Sequence, residues 1–163
     1  MRVINYPLGF GDIPQIPEVN EGFWSRTEGE MIQTSDVRSC IVVAAHNPVS
    51  KVGYLGHFTL DYAMTVDTPF SEMVDAVQAE ETEVPFEAWI SGATSLNTPG
   101  FGADVLDEYH KMNQLGRLLT VRSLDSIGVR PIKDEWLGKN ERIERVLFDS
   151  NAGIIHYSTD EID

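Results

Sequence analysis

Two neighbouring stretches carry the clearest patterning in the chain. From Arg38 to Ala45 the residues are largely apolar and rich in Val and Ile, and from Val52 to Leu60 apolar side chains recur at alternate positions, Val52, Tyr54, Phe58 and Leu60. Both are strand patterns. Between them Asn47-Pro48-Val49-Ser50 is turn chemistry, because proline fixes φ and asparagine bonds its own backbone, so the pair predicts a hairpin. Thr68 followed by Pro69 supplies a cap and a proline for the first helical position, and Phe70, Met73, Val74 and Val77 continue at helical spacing. Val84, Phe86, Ala88 and Ile90 alternate again, ending at Ser91-Gly92-Ala93, and a loop runs on to Gly102.

Val105, Leu106, Tyr109, Met112 and Leu115 form an apolar helical stripe, with Gly116 placed to end it in a left-handed cap. Leu118–Leu124 reads as a strand, residues 126–142 as a long loop, and Ile143–Phe148 with Gly153–Tyr157 as a closing hairpin. Residues 1–30 read as an irregular lead-in whose Phe10, Phe23 and Trp24 pack on the core. The expected fold is therefore a single α+β domain over residues 31–163, with two helices against a largely antiparallel sheet or sandwich.

The 163 residues suit one domain, and 42% hydrophobic with 23% charged residues is an ordinary globular composition. The apolar run Ile41–Ala45 is far short of the roughly 20 residues that cross a bilayer, so no membrane insertion is expected. No secretory signal is visible in the first 20 residues. A single cysteine forms no internal disulfide and fits a reducing compartment, which makes a cytoplasmic protein the simplest expectation. The formal charge of −14 argues against nucleic acid as partner. It keeps the protein soluble, and an acidic face would also suit a basic protein.

Chemistry concentrates on the hairpin. With a turn at residues 47–50, Cys40 lies directly opposite His57, and cross-strand neighbours place their Cβ atoms about 4.5 to 5.5 Å apart on one face. An imidazole at that distance can take the thiol proton, hold the thiolate as an ion pair and return the proton to a leaving amine, which is the sequence of an acyl transfer. An ion pair of this kind alkylates well below pH ~8.5. Thr34 reaches the imidazole as its orienting group if the strand continues backward, with Asp36 as a competitor. Taken singly, both residues also have an inert explanation, since cysteine is among the most frequently buried residue types and His57 sits between Gly56 and Phe58. Cys40 with His57 and His46 lacks the close-spaced pair of a zinc site, so neither metal nor other cofactor is expected. Of Tyr54, Tyr62, Trp89 and Trp136, only Trp136 is expected at the surface.

The stretch Thr34-Ser-Asp-Val-Arg-Ser-Cys40-Ile-Val-Val, followed by Lys51-Val-Gly-Tyr-Leu-Gly-His57-Phe-Thr-Leu60, resembles the chemoreceptor glutamine deamidase family, CheD. Ile90-Ser-Gly-Ala93 is similar to that family's Gly-Gly-Ala segment, and the likeness spans about residues 30–157. Cytotoxic necrotizing factor-type toxins and protein N-terminal asparagine amidohydrolase are related in fold and chemistry. The resemblance implies a Cys40, His57 and Thr34 triad. It would hydrolyse a glutamine or asparagine side-chain amide of a protein substrate through a thioester, with backbone N–H groups holding the oxyanion. Action as a toxin in another cell is compatible with it. Arg38 stands where the family has glycine, and Ser91 replaces the first glycine of the segment. A binding module of the same fold is the alternative, since CheD proteins also dock to a phosphatase.

Overall fold

The computed structural model describes residues 1–6, 13, 15–94, 102–138 and 140–161, so the expected packing of Phe10 lies outside the described residues. The strands are β1 (Arg2–Asn5), β2 (Phe23–Glu28), β3 (Met31–Val37), β4 (Ile41–His46), β5 (Val52–Phe58), β6 (Glu87–Gly92), β7 (Ile132–Trp136), β8 (Glu141–Asp149) and β9 (Ile154–Glu161). A 3-10 turn spans Leu60–Met64, and two helices, α1 (Pro69–Ala79) and α2 (Ala103–Ser126), complete the α+β domain. One sheet has the order β1-β9-β8-β3 and the other β2-β5-β4-β6-β7. Pairing is antiparallel except for β1 with β9 and β6 with β7.

The apolar run on β4 reflects its central position, with every residue buried. Ile41, Val43 and Ala45 face the helices and meet Phe70, Met73 and Val77 of α1 and Leu124 of α2. Val42 and Ala44 face the other sheet and meet Ile32, Val146, Phe148 and Ile155. A strand covered on both faces has no polar side to show, which is why periodicity was weak there. Tyr54 and Trp89 are core residues.

Three readings of the sequence change. Residues 1–30 are not an irregular lead-in, because β1 and β2 extend one sheet each. The helix does not end at Gly116, and Leu118–Leu124 is helix, not strand. α2 rests on Asn113, Gly116, Thr120 and Leu124, while Val105, Met112, Leu115 and Leu118 stay exposed. Gly116 is there for close approach: a Cβ on it would lie 2.6 Å from Leu60 Cγ. The Thr120 hydroxyl donates to the Gly116 carbonyl at 2.8 Å, so a β-branched polar residue sits in the helix without an orphaned group. Within the expected loop 126–142, Ile132-Lys-Asp-Glu-Trp136 adds an edge strand, with Lys133 and Asp134 exposed and Glu135 accepting from the Trp89 indole N–H at 2.9 Å. Trp136 is half-buried, with Arg117 stacked 5.2 Å from its ring centre.

The start of α1 follows expectation: the Thr68 hydroxyl accepts from the Ser71 N–H at 3.3 Å and the Ser71 hydroxyl from the Thr68 N–H at 2.9 Å. Replacing Thr68 with Ala is expected to cost about 1 kcal/mol, measured as a lower urea midpoint with unchanged slope.

Candidate active site

Between Val37 and Ile41 the chain leaves the four-stranded sheet and enters the five-stranded one. Thr34 therefore belongs to β3 in one sheet, His57 to β5 in the other, and Cys40 to the crossing between them. Thr34 does not reach the histidine as a backward extension of the nucleophile's strand; it reaches it from across the sandwich. Cys40 is packed with Val42, Leu55 and Val37 in the core between the sheets.

The hairpin register differs by two residues from expectation. Val42, not Cys40, lies opposite His57, making Cys40 a diagonal neighbour. The cause is Asn47: its N–H bonds the Val52 carbonyl at 2.9 Å and its side chain accepts from Val49 and Ser50 at 3.0 Å, moving the turn to residues 48–51. Lys51 takes the left-handed position, φ 62°. A two-residue shift preserves the side-chain face, whereas a one-residue shift would have separated the pair. The Cys40 sulfur, a His57 ring nitrogen and a Glu21 carboxylate oxygen all lie within 4.8 Å of one another.

Hydrogen bonds settle the imidazole tautomer. The Thr34 hydroxyl has one proton, and it is donated to the Val19 carbonyl at 2.6 Å. The 3.0 Å contact between Thr34 Oγ1 and His57 Nδ1 must then run from the ring N–H to the hydroxyl oxygen. His57 Nε2 is left with its lone pair, buried and without a partner among the described residues. That is the protonation state a general base needs. Asp36 is not the orienter, because it is exposed and paired with Arg38 and Arg142 at 2.9 and 3.2 Å. The same pairing draws the Arg38 side chain toward Asp36. His46 lies at the far end of β4, bonded through Nε2 to the Ser150 carbonyl at 2.8 Å.

Burial and then the charge of Glu21 push the Cys40 thiol up to about 12, while burial lowers the pKa of His57. The resting pair is a neutral thiol beside a neutral imidazole, not the ion pair expected from sequence. Glu21, which escaped sequence reading because nothing in the glycine-rich opening marks it, is brought there by its neighbour: the Gly22 N–H donates to the His57 carbonyl at 2.7 Å.

A second clamp fixes the backbone at Cys40. The Cys40 carbonyl accepts from the Ala93 N–H at 2.6 Å and the Arg38 carbonyl from the Thr94 N–H at 3.1 Å. Gly92 has φ +100°, and a Cβ there would collide with the Cys40 carbonyl oxygen. Asn113 Nδ2 and the Arg117 guanidinium hold the Ala93 carbonyl from α2. Beside Ser39 a cavity of about 200 Å³ opens between the Leu60–Met64 turn and α2. A larger hollow of about 570 Å³ near Val121 and Pro131 contains no cysteine or histidine.

Fold and site together define a two-sheet α+β domain with a thiol, an imidazole and an orienting hydroxyl assembled across the sandwich. No family model and no curated protein matches the chain. Among solved structures it is similar to the crystal structure of Bacillus licheniformis hypothetical protein YfiH, with 14% identity and a TM-score of 0.47 over 69% of this chain. The match covers 50% of that protein, so this chain spans about half its length.

Two outcomes are expected. Alkylation of Cys40 rises about tenfold per pH unit from pH ~7 to ~10 without a plateau, and Glu21→Gln raises the rate at fixed pH by removing a charge that opposes the thiolate. Gly92→Ala destabilises the fold by about 1–3 kcal/mol, seen in urea denaturation, and alters Cys40 reactivity even under conditions where the protein stays folded.

Proposed function

We propose that the protein is a cysteine-dependent deamidase that hydrolyses a glutamine or asparagine side-chain amide of a protein substrate, as its resemblance to the CheD family implies. The observation carrying this reading is the relay Val19 carbonyl, Thr34 hydroxyl, His57 ring, which leaves Nε2 as an unpartnered base beside the only thiol in the chain. A substrate carboxamide entering beside Cys40 displaces water. His57 Nε2 then takes the thiol proton as sulfur attacks the carbonyl carbon, forming a tetrahedral oxyanion. The Cys40 N–H, which donates to no acceptor among the described residues, is available to bind that oxyanion.

The imidazolium returns its proton to the amide nitrogen, ammonia leaves, and a thioester is left on Cys40. Water, deprotonated by the same Nε2, attacks the thioester and releases the carboxylate and the thiol. The high thiol pKa makes this a concerted proton transfer and attack, with no standing thiolate. Thr34 stabilises the imidazolium by accepting from Nδ1 while its own proton stays with Val19.

The reading extends to surroundings. Nucleic acid is excluded from the proposed partners on the charge of −14, and the cytoplasm is the proposed location because it keeps the lone thiol reduced. Among the described residues no helix is long and apolar enough to cross a membrane.

The decisive measurement is ammonia release from glutamine- and asparagine-containing proteins, paired with the mass gain of amide-to-acid conversion. Cys40→Ser and His57→Ala should each lower the rate by about 1,000-fold or more, and Thr34→Val by about 10- to 100-fold with the fold intact. Ammonia release unaffected by Cys40→Ser would refute the assignment.

A further inference from the structure

The cavity beside Ser39, the residue before Cys40, carries no cation among its described lining residues. Its polar groups are the Asp61 carboxylate, the Asn113 carboxamide and the hydroxyls of Ser39, Thr59 and Tyr109, the last donating to the Thr94 carbonyl at 3.3 Å. Asp61 lines it, is exposed, and forms no ion pair among the described residues. Asn113 is 2% exposed, and its Oδ1 has no partner. The orientation of that amide is forced, because Nδ2 faces the Ala93 and Thr94 carbonyls at 2.9 and 3.2 Å, which only a donor can do. Thr59 Oγ1 is likewise buried without a partner. Leu60, Met112 and the Tyr109 ring supply the remaining wall, and none of the described lining residues is a lysine or arginine.

We infer that this cavity is a specificity pocket for a basic side chain, lysine or arginine, lying close to the target amide of the substrate protein; the inference rests on the deamidase reading. A long basic side chain matches the lining in both of its parts. Its methylene stem packs on Leu60, Met112 and Tyr109, and its head carries several N–H donors for the Asp61 carboxylate and for the unpartnered oxygens of Asn113 and Thr59. An apolar side chain would take water from the exposed Asp61 carboxylate with nothing to donate in return, and an acidic one would face it. Glu21 extends the same negative field to the other side of the thiol, within 4.8 Å of it. Glu21 and Asp61 both oppose ionisation of Cys40, so a bound cation also relieves the nucleophile. Substrate recognition and thiol activation then share one charge.

The test uses the full chain with Cys40→Ala and fluorescent, end-capped pentapeptides with a central glutamine. One flanking position at a time carries lysine, norleucine or glutamate, and binding is read by anisotropy at low and high salt. At one position lysine should bind at least tenfold tighter than norleucine, glutamate weakest, with the lysine advantage shrinking in salt. Asp61→Asn should bring the lysine-to-norleucine ratio close to one, and Thr59→Val should reduce it in a protein of unchanged stability. Equal affinity for lysine and norleucine at every position, including no measurable binding of either, overturns the pocket. So does an Asp61→Asn ratio equal to that of the parent. Ammonia release by the wild type from the same peptides is a separate arm. A lysine preference in binding with no ammonia supports the pocket and counts against the deamidase, whereas ammonia released at equal rates from all peptides overturns the pocket alone.

Discussion

One hydrogen-bond relay joins the two sheets and fixes the imidazole at the candidate site. The Val19 carbonyl takes the Thr34 proton, which turns the Thr34 hydroxyl into an acceptor, which in turn fixes the His57 ring with its proton on Nδ1. Val19 is itself held by its N–H on the Gln33 carbonyl at 2.7 Å, and the Gln33 amide holds the Ile13 and Ile16 carbonyls at 3.2 and 3.0 Å. The opening segment, β3 and β5 are thus tied at the one point where an imidazole must not turn. A buried hydroxyl serves here where a carboxylate often does. It orients the ring without adding a negative charge, and the surrounding acids are left to act from the mouth.

Those acids explain why burial and reactivity are not in conflict. A thiol packed among Val37, Val42 and Leu55 with a carboxylate beside it has every reason to stay protonated. Under the proposed deamidase reading, its chemistry depends on a base already in the correct tautomer and on events at the entrance that change the local field. Stored charge on Cys40 is not needed, and a protonated thiol is also a poor target for oxidants and metal ions.

The sequence made the strongest elements legible and misread the ones decided by distant partners. β4, β5, α1 and the closing hairpin could be read because each carries its own pattern and stop signals. The lower part of α2 could not, since Leu118–Leu124 is a short apolar run that fits helix or strand equally, and only Leu60 lying against Gly116 shows that the glycine is a contact and not a cap. β1 and β2 have no alternation to find because they are edge strands with mixed exposure. In the site, the shared face of Cys40 and His57 followed from parity, which survived a register error of two residues. The position of Thr34 was reached through family likeness, and its true route, across the gap between the sheets, is a property of topology that spacing does not encode. Glu21 and the orphaned acceptor of Asn113 left no trace in the pattern at all.

The crossing at Arg38-Ser39-Cys40 has a further consequence. Because Cys40 sits on the only step between β3 and β4, with His57 on one sheet and the Thr34 hydroxyl on the other, neither sheet alone contains the full set of groups. Half-folded or proteolytically trimmed chains would carry the cysteine without the assembled imidazole and hydroxyl. Such an arrangement makes assembly of the thiol, imidazole and hydroxyl all-or-none with respect to folding.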